Sequence, residues 1–226
     1  MADALTYLKA KFDLDLKQRR LPIDIPNTNR ETLARLFYLL GFTRGAEIGV
    51  ERGVYAKVLL EQNPLLHLVC VDAWKAYRGY RDHVDQLKLN RFYVETHDRL
   101  SPHQGRLTVV RAFSVEAAAT IADGSLDFVY LDAAHDIGSV IADLKAWTPK
   151  VRVGGIVSGH DYLKCALPSL MHVPQAVQAW TDAYQIAPWF VLGRQAKVAG
   201  ELRDEGRSWF FVRPEPVSPS GKVIQQ

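Results

Sequence analysis

The chain has 226 residues, 48% of them hydrophobic and 23% charged, with 15 Gly and 11 Pro, which suits one globular domain and excludes collagen-like and low-complexity readings. Its 28 basic and 25 acidic residues leave a formal net charge of +3; the signs are interspersed, and the largest basic cluster, Lys17, Arg19 and Arg20, is no positive stripe of the kind that marks a nucleic-acid binder. No apolar run reaches the ~18 residues of a membrane span, no signal-peptide core opens the chain, and Cys70 and Cys165 alone make no disulfide framework, so the expectation is a cytoplasmic protein with no membrane or nucleic-acid partner.

Residues 1–20 read as an amphipathic helix, followed by the Pro- and Asn-punctuated link LPIDIPNTN. Thr28 or Asn29 caps a second helix, Arg30 to Leu40, closed by Gly41. Residues 1–43 are therefore expected to be a helical N-terminal extension outside the sheet. Its apolar face (Leu33, Leu36, Phe37, Leu40) makes it the candidate lid or dimer element, and so the source of any homo-oligomer.

From residue 44 short apolar strands alternate with helical patterns. AEIGV is followed by a helix at Val54 to Gln62, and HLVCVDAW by a long connection, residues 73–105. LTVVRAF precedes a helix at Val115 to Ala122, LDFVYLDAAH one at Ile137 to Trp147, and GGIVSGHDY one at Val173 to Tyr184. This alternation predicts βαβ units in a parallel sheet covered on both faces. WFVLG and SWFFV have no apolar helix between them and predict a closing antiparallel hairpin. Residues 44–213 form the expected main domain, and Pro-rich 214–226 a loose tail. In the long connection, Trp74, Tyr77, Tyr80, Phe92 and Tyr93 pack as core at helical spacing. Alternatively Trp74, Tyr77 or Tyr80 lines a ligand crevice at the strand ends.

Glu47-Ile-Gly49-Val-Glu51-Arg-Gly53 ends the first strand of this series and opens a helix. Glycines there allow a sharp turn and close approach of a ligand. A dinucleotide fingerprint would place Gly at 51 and 54, where this chain has Glu51 and Val54. The Glu51 carboxylate would repel a pyrophosphate, so a cofactor without phosphates fits better. Nineteen residues beyond Gly53, Asp72 ends the next strand, where an acid can accept hydrogen bonds from ribose hydroxyls.

The motif E-x-G-x-x-x-G with a following strand-end acid resembles the class I S-adenosylmethionine-dependent methyltransferases. The resemblance covers about residues 44–212. It implies an α/β, Rossmann-like doubly wound sheet of seven strands, mostly parallel with the last reversed. It also implies roles: Glu47 near the cofactor's amino group or sulfonium, Gly49 beneath its methionine part, Asp72 on the ribose. Ser114 falls in the adenine region and Trp74 over the adenine ring. Gly53 and Tyr55, at the start of the next helix, and Asp132 complete the expected cofactor set.

Two further strands end in Asp132-Ala-Ala-His135-Asp136 and in His160-Asp161-Tyr162, on the same sheet edge as Asp72. Carboxylates with imidazole can coordinate a divalent cation, and oxygen-rich sets favour Mg²⁺, Ca²⁺ or Mn²⁺. A neutral His beside such an ion can take the proton of a hydroxyl. The D-x-x-H and G-G-x-x-x-x-H-D-Y pattern is similar to macrolide sugar O-methyltransferases of the mycinamicin and macrocin type. Carried over, Asp132 and Asp161 hold Mg²⁺, Asp132 and His135 form the catalytic pair, and His135 is the base; His160 beside them is the third candidate metal ligand. The sequence departs from that branch at His160, where the branch has an acid, which leaves the ion open. Asp143 and Trp147, one helix on, read as surface and core. The expected reaction is O-methylation of a small hydroxylated acceptor such as a sugar or secondary metabolite. A metal-independent N-methyltransferase and a non-catalytic cofactor-binding module on the same fold remain the alternatives.

Overall fold

Alternating apolar side chains in each strand must bury on both faces of a sheet, and the central strands show how. In β5 (Leu126–Leu131) Phe128 and Tyr130 join one hydrophobic cluster, whereas Val129 and Leu131 join another. This is the period-two division expected of a doubly covered sheet. The computed structural model describes residues 3–17, 20–77, 85–163 and 171–215. Tyr80, Cys165 and most of the expected tail lie outside the described residues.

In chain order the elements are α1 (Ala4–Phe12), β1 (Ile23–Ile25), α2 (Arg30–Leu39), β2 (Arg44–Ile48), α3 (Val54–Gln62), β3 (His67–Asp72) and α4 (Gln86–Leu100). There follow β4 (Leu107–Arg111), α5 (Ser114–Ala118), β5, α6 (Ile137–Trp147), β6 (Val151–Gly159), α7 (Val173–Ala183), β7 (Trp189–Leu192) and β8 (Trp209–Val212). The strand order is β1-β7-β8-β6-β5-β2-β3-β4. β8 runs antiparallel to both β6 and β7, and the other pairings are parallel. The expected α/β architecture with a reversed last strand is thus present, in eight strands rather than seven.

The eighth strand is β1. Residues 1–43 were expected to be helical and outside the sheet, yet Ile23 and Ile25 pair with Phe190 and Leu192 on the sheet edge. Three residues flanked by Pro22 and Pro26 are too short to display a strand period. Their burial shows the alternation instead, Ile23 and Ile25 inward and Asp24 outward. Arg207 anchors the edge with an ion pair to Asp24. α1 is also shorter than expected, ending where Asp13 adopts a left-handed conformation (φ 49°). Asn29 caps α2 in a capping box with Thr32, as the sequence implied.

Chain direction positions the site. From β2 the chain steps outward to β3 and β4, then crosses back so that β5 pairs with the other side of β2. Ligands in open α/β sheets bind outside the carboxyl ends of strands at such a reversal.

Candidate active site

A cleft of about 490 Å³ opens at this reversal, a volume in the usual range for small-molecule sites. Its lining includes Glu47, Gly49, Tyr55, Asp72, Trp74, Ser114, Asp132, His135 and Asp161. The strand ends of β2, β3, β4, β5 and β6 therefore converge on one space. Gly53 does not line it and serves as the left-handed residue (φ 70°) before α3.

The glycine turn is held from behind. Asp72 Oδ2 accepts hydrogen bonds from the N–H groups of Val50 (3.1 Å) and Glu51 (2.9 Å), and its Oδ1 accepts from Trp74 N–H (2.7 Å). Burial nevertheless holds this carboxyl above its ordinary range, because desolvation outweighs the three bonds. Trp74 Nε1 donates to the Glu51 carbonyl at 2.7 Å. Trp74 is 1% exposed, so it is a fixed brace of the turn as well as a wall of the cleft.

Gly49 has φ 89°, and a Cβ there would fall 2.0 Å from the Asp132 carbonyl oxygen. The close approach that demands glycine is therefore to β5. Asp132 N–H in turn donates to the Ile48 carbonyl (2.7 Å), which fixes the two strand ends against each other.

Glu47, on β2, is buried, and its Oε2 has no partner among the described residues. Burial and the nearby Asp132 push its carboxyl well up, against the pull of Arg30. Tyr55 donates its hydroxyl to the Arg30 carbonyl at 2.9 Å, so it ties α3 to α2.

At the other end of the cleft Ser114 donates to Asp143 Oδ1 and accepts from Trp147 Nε1 at 2.9 Å. The sequence placed Asp143 on the surface. It is 6% exposed, because the α6 face that carries it turns toward Ser114. Desolvation raises its carboxyl to about 6, opposed by the Ser114 bond. Trp147 is core, as expected.

Beyond β5 and β6 lie the titratable groups. Ligand atoms of Asp132, His135 and Asp161 lie within 4.8 Å of one another and could hold a cation. His135 Nε2 is 2.9 Å from Asp161 Oδ2. Asp132 is raised to about 7 by desolvation and by the like charge of Asp161. Asp161 is lowered, since its bond to His135 and the charges of His160 and His135 together outweigh burial. His160, expected as the third ligand, has Nδ1 at 3.4 Å from Asp161 Oδ1 and 3.7 Å from Asp132 Oδ1. It lines a separate small cavity with Asp143 and Trp209 instead of the cleft. The group whose ligand atoms lie close enough to hold a cation thus contains His135 and not His160.

Sequence reasoning missed two participants. Gly206 lies against Asp161, where a Cβ would stand 2.3 Å from Oδ1, and Arg207 O accepts from Tyr162 N–H (2.9 Å). The β7–β8 connection thus seats the loop after β6. Arg30 lines the cleft from α2. Neither carries a local motif signal.

A family model described as a methyltransferase domain matches residues 46–162, just over half of the chain. No curated protein matches the sequence. Among solved structures, the N-methyltransferase NodS from Bradyrhizobium japonicum WM9 is similar with a TM-score of 0.56 at 13% identity, covering 82% of this chain and 95% of that one. An O-methyltransferase family protein from Burkholderia thailandensis gives 0.57 at 12% identity, covering 82% of this chain and 55% of that one. An rRNA methylase from Streptococcus thermophilus gives 0.55 at 7% identity, covering 81% and 95%. At these identities the likeness is one of fold.

Proposed function

Because the chain belongs to the methyltransferase-domain family and is an S-adenosylmethionine-dependent methyltransferase, we propose that it methylates a hydroxyl oxygen of a small molecule such as a sugar or secondary metabolite, with His135 as base. The observation that supports this most is the shared cleft. The cofactor candidates Glu47, Gly49, Asp72, Trp74 and Ser114 line the same space as Asp132, His135 and Asp161. A methyl donor and an ionisable proton acceptor can therefore meet.

S-adenosylmethionine supplies a methyl group on a positively charged sulfur. Asp72 and Ser114 mark the adenosine end of the cleft, and Glu47 the methionyl end beside Asp132. Asp161, an ionised carboxylate 2.9 Å from His135 Nε2, orients the imidazole and places its proton on that nitrogen. The hydroxyl proton passes to the imidazole of His135 as the oxygen attacks the methyl carbon and the C–S bond breaks. A divalent cation, Mg²⁺ in the first instance, would be held by Asp132 and Asp161 with His135 beside them, and would lower the pKa of a nearby hydroxyl. Two carboxylate donors suit such a hard ion and leave the imidazole to act as base. The His135–Asp161 contact also supports a metal-independent reading, in which the dyad alone handles the proton and an amine can replace the hydroxyl.

The test is turnover on a panel of hydroxylated acceptors, followed by mass spectrometry, with EDTA and with Mg²⁺ restored. Chelation should abolish turnover and Mg²⁺ restore it. His135→Ala should lose about 10²–10⁴ in turnover while S-adenosylhomocysteine affinity stays within about threefold, since the base does not bind the cofactor. Turnover that ignores EDTA and survives His135→Ala defeats the metal-and-base mechanism. Methylation confined to amines moves the reading to N-methyl transfer.

A further inference from the structure

Arg30 is the first residue of α2, outside the matched residues 46–162. Its backbone is held on both sides: its N–H donates to Asp204 Oδ2 at 2.6 Å, and its carbonyl accepts from Tyr55 at 2.9 Å. Its guanidinium carbon lies 5.5 Å from the centre of the Tyr55 ring, and the residue lines the cleft. Among the described residues this guanidinium makes no ion pair or hydrogen bond. Its charge reaches Glu47, Asp132 and Asp161, each of which it pulls downward.

A guanidinium that faces a ligand cleft and makes no direct ion pair among the described residues is arranged for an anion of the ligand. The acid nearest in character is Glu47, whose buried Oε2 also lacks a partner. One unsatisfied carboxylate and one unsatisfied guanidinium at the same end of a cleft match the ammonium and carboxylate of an α-amino-acid zwitterion. Arginine suits the second task because its planar fork meets a carboxylate with two parallel hydrogen bonds.

We propose that Arg30 binds the α-carboxylate of the cofactor's methionyl part, which makes α2 of the N-terminal segment a wall of the cofactor site. This rests on the reading of the cleft as an S-adenosylmethionine site, and goes further by assigning its zwitterion receptor.

Calorimetry with two probes separates the claims. S-adenosylhomocysteine carries the amino-acid zwitterion, whereas 5′-methylthioadenosine has the same adenosine and sulfur without it. Binding of S-adenosylhomocysteine to the wild type tests the cleft reading itself; its absence overturns that reading and this assignment together. Given binding, Arg30→Gln should weaken S-adenosylhomocysteine about ten- to a hundredfold, the range for loss of charged hydrogen bonds. Affinity for 5′-methylthioadenosine should change less than about threefold, which also reports that the variant is folded. Arg30→Lys should recover only part of the loss, because an ammonium cannot form the fork. Unchanged S-adenosylhomocysteine affinity in Arg30→Gln overturns the assignment, as does an equal loss for both probes. A rise confined to the acceptor's KM also overturns it and moves the guanidinium to the acceptor.

Discussion

Asp143 shows how a single side chain carries both structure and chemistry. It is buried on α6, accepts from Ser114, and lines both the cleft and the small cavity that holds His160. Its carboxyl lies at about 6 in the folded chain, against 3.8 as the ordinary value. Well below pH 3.8 folded and unfolded chains are both protonated here, and the residue costs nothing. As pH rises the unfolded chain ionises first, so folding loses stability until the folded carboxyl ionises near pH 6. The loss is then complete, and its upper bound is about 3 kcal/mol. Asp143→Asn keeps an acceptor for Ser114 and removes the ionisation. Thermal unfolding of both proteins should show the variant gaining on the wild type between pH 4 and pH 7. A gap that does not change with pH would mean that the carboxyl titrates normally. This residue's burial has no local signal, since Ser114 and Asp143 are 29 positions apart and no short motif spans them. Arg30 was hidden in the same way, its partner Asp204 lying 174 positions away. Glu47, Asp72, Asp132 and Asp161 were legible because each ends or sits in an apolar strand, and a charge in that place stands out.

At the scale of elements, the seven strands from residue 44 onward were readable because each carries a short apolar run between turn signals. The glycine turn was readable as a turn, although the reason for Gly49 was not. Sequence reasoning assigned it to the cofactor, and the structure adds a contact with the backbone of Asp132 on the neighbouring strand. Gly53 makes a useful comparison on the same loop. It also has a positive φ, of 70°, yet a Cβ there would meet only the Thr96 methyl at 3.2 Å and Leu100 at 3.4 Å. Gly53→Ala should therefore cost roughly 1–2 kcal/mol, the price of a left-handed L residue. Gly49→Ala adds a clash at 2.0 Å with backbone that cannot rotate away, so β2 and β5 must separate. It should cost well above the roughly 1–3 kcal/mol of backbone strain alone and impair cofactor binding with it. Denaturant unfolding of the two variants checks the ranking; equal losses would show that the strand ends yield freely.

For the whole molecule, the N-terminal segment is where sequence reasoning and structure part most. A helical lid outside the sheet could lose residues 1–28 and leave a folded domain with impaired turnover. In the folded chain Leu8, Leu14, Ile23 and Ile25 are all buried, none more than 8% exposed. Full burial of such side chains is worth roughly 1.5–3 kcal/mol each, so four of them sum to about 6–12 kcal/mol. That is comparable to the whole stability of an ordinary domain, about 5–15 kcal/mol. The loss is geometric as well. β1 covers the edge of β7, whose four residues are buried, and removing it exposes an apolar edge that invites pairing with another chain. The same cut deletes Asp24, leaving the buried Arg207 side chain, 5% exposed, without its carboxylate. Thr28 goes too, and with it the hydroxyl that accepts from Gly193 N–H at 3.0 Å. The β7–β8 connection, which seats Asp161 through Gly206 and holds Arg30 through Asp204, then loses its anchors on both sides. A chain of residues 29–226 should accordingly aggregate on expression, and any soluble fraction should lack a cooperative thermal transition by circular dichroism. A monomer on size exclusion that unfolds at the full-length temperature would restore the view of this segment as an attachment rather than a part of the sheet.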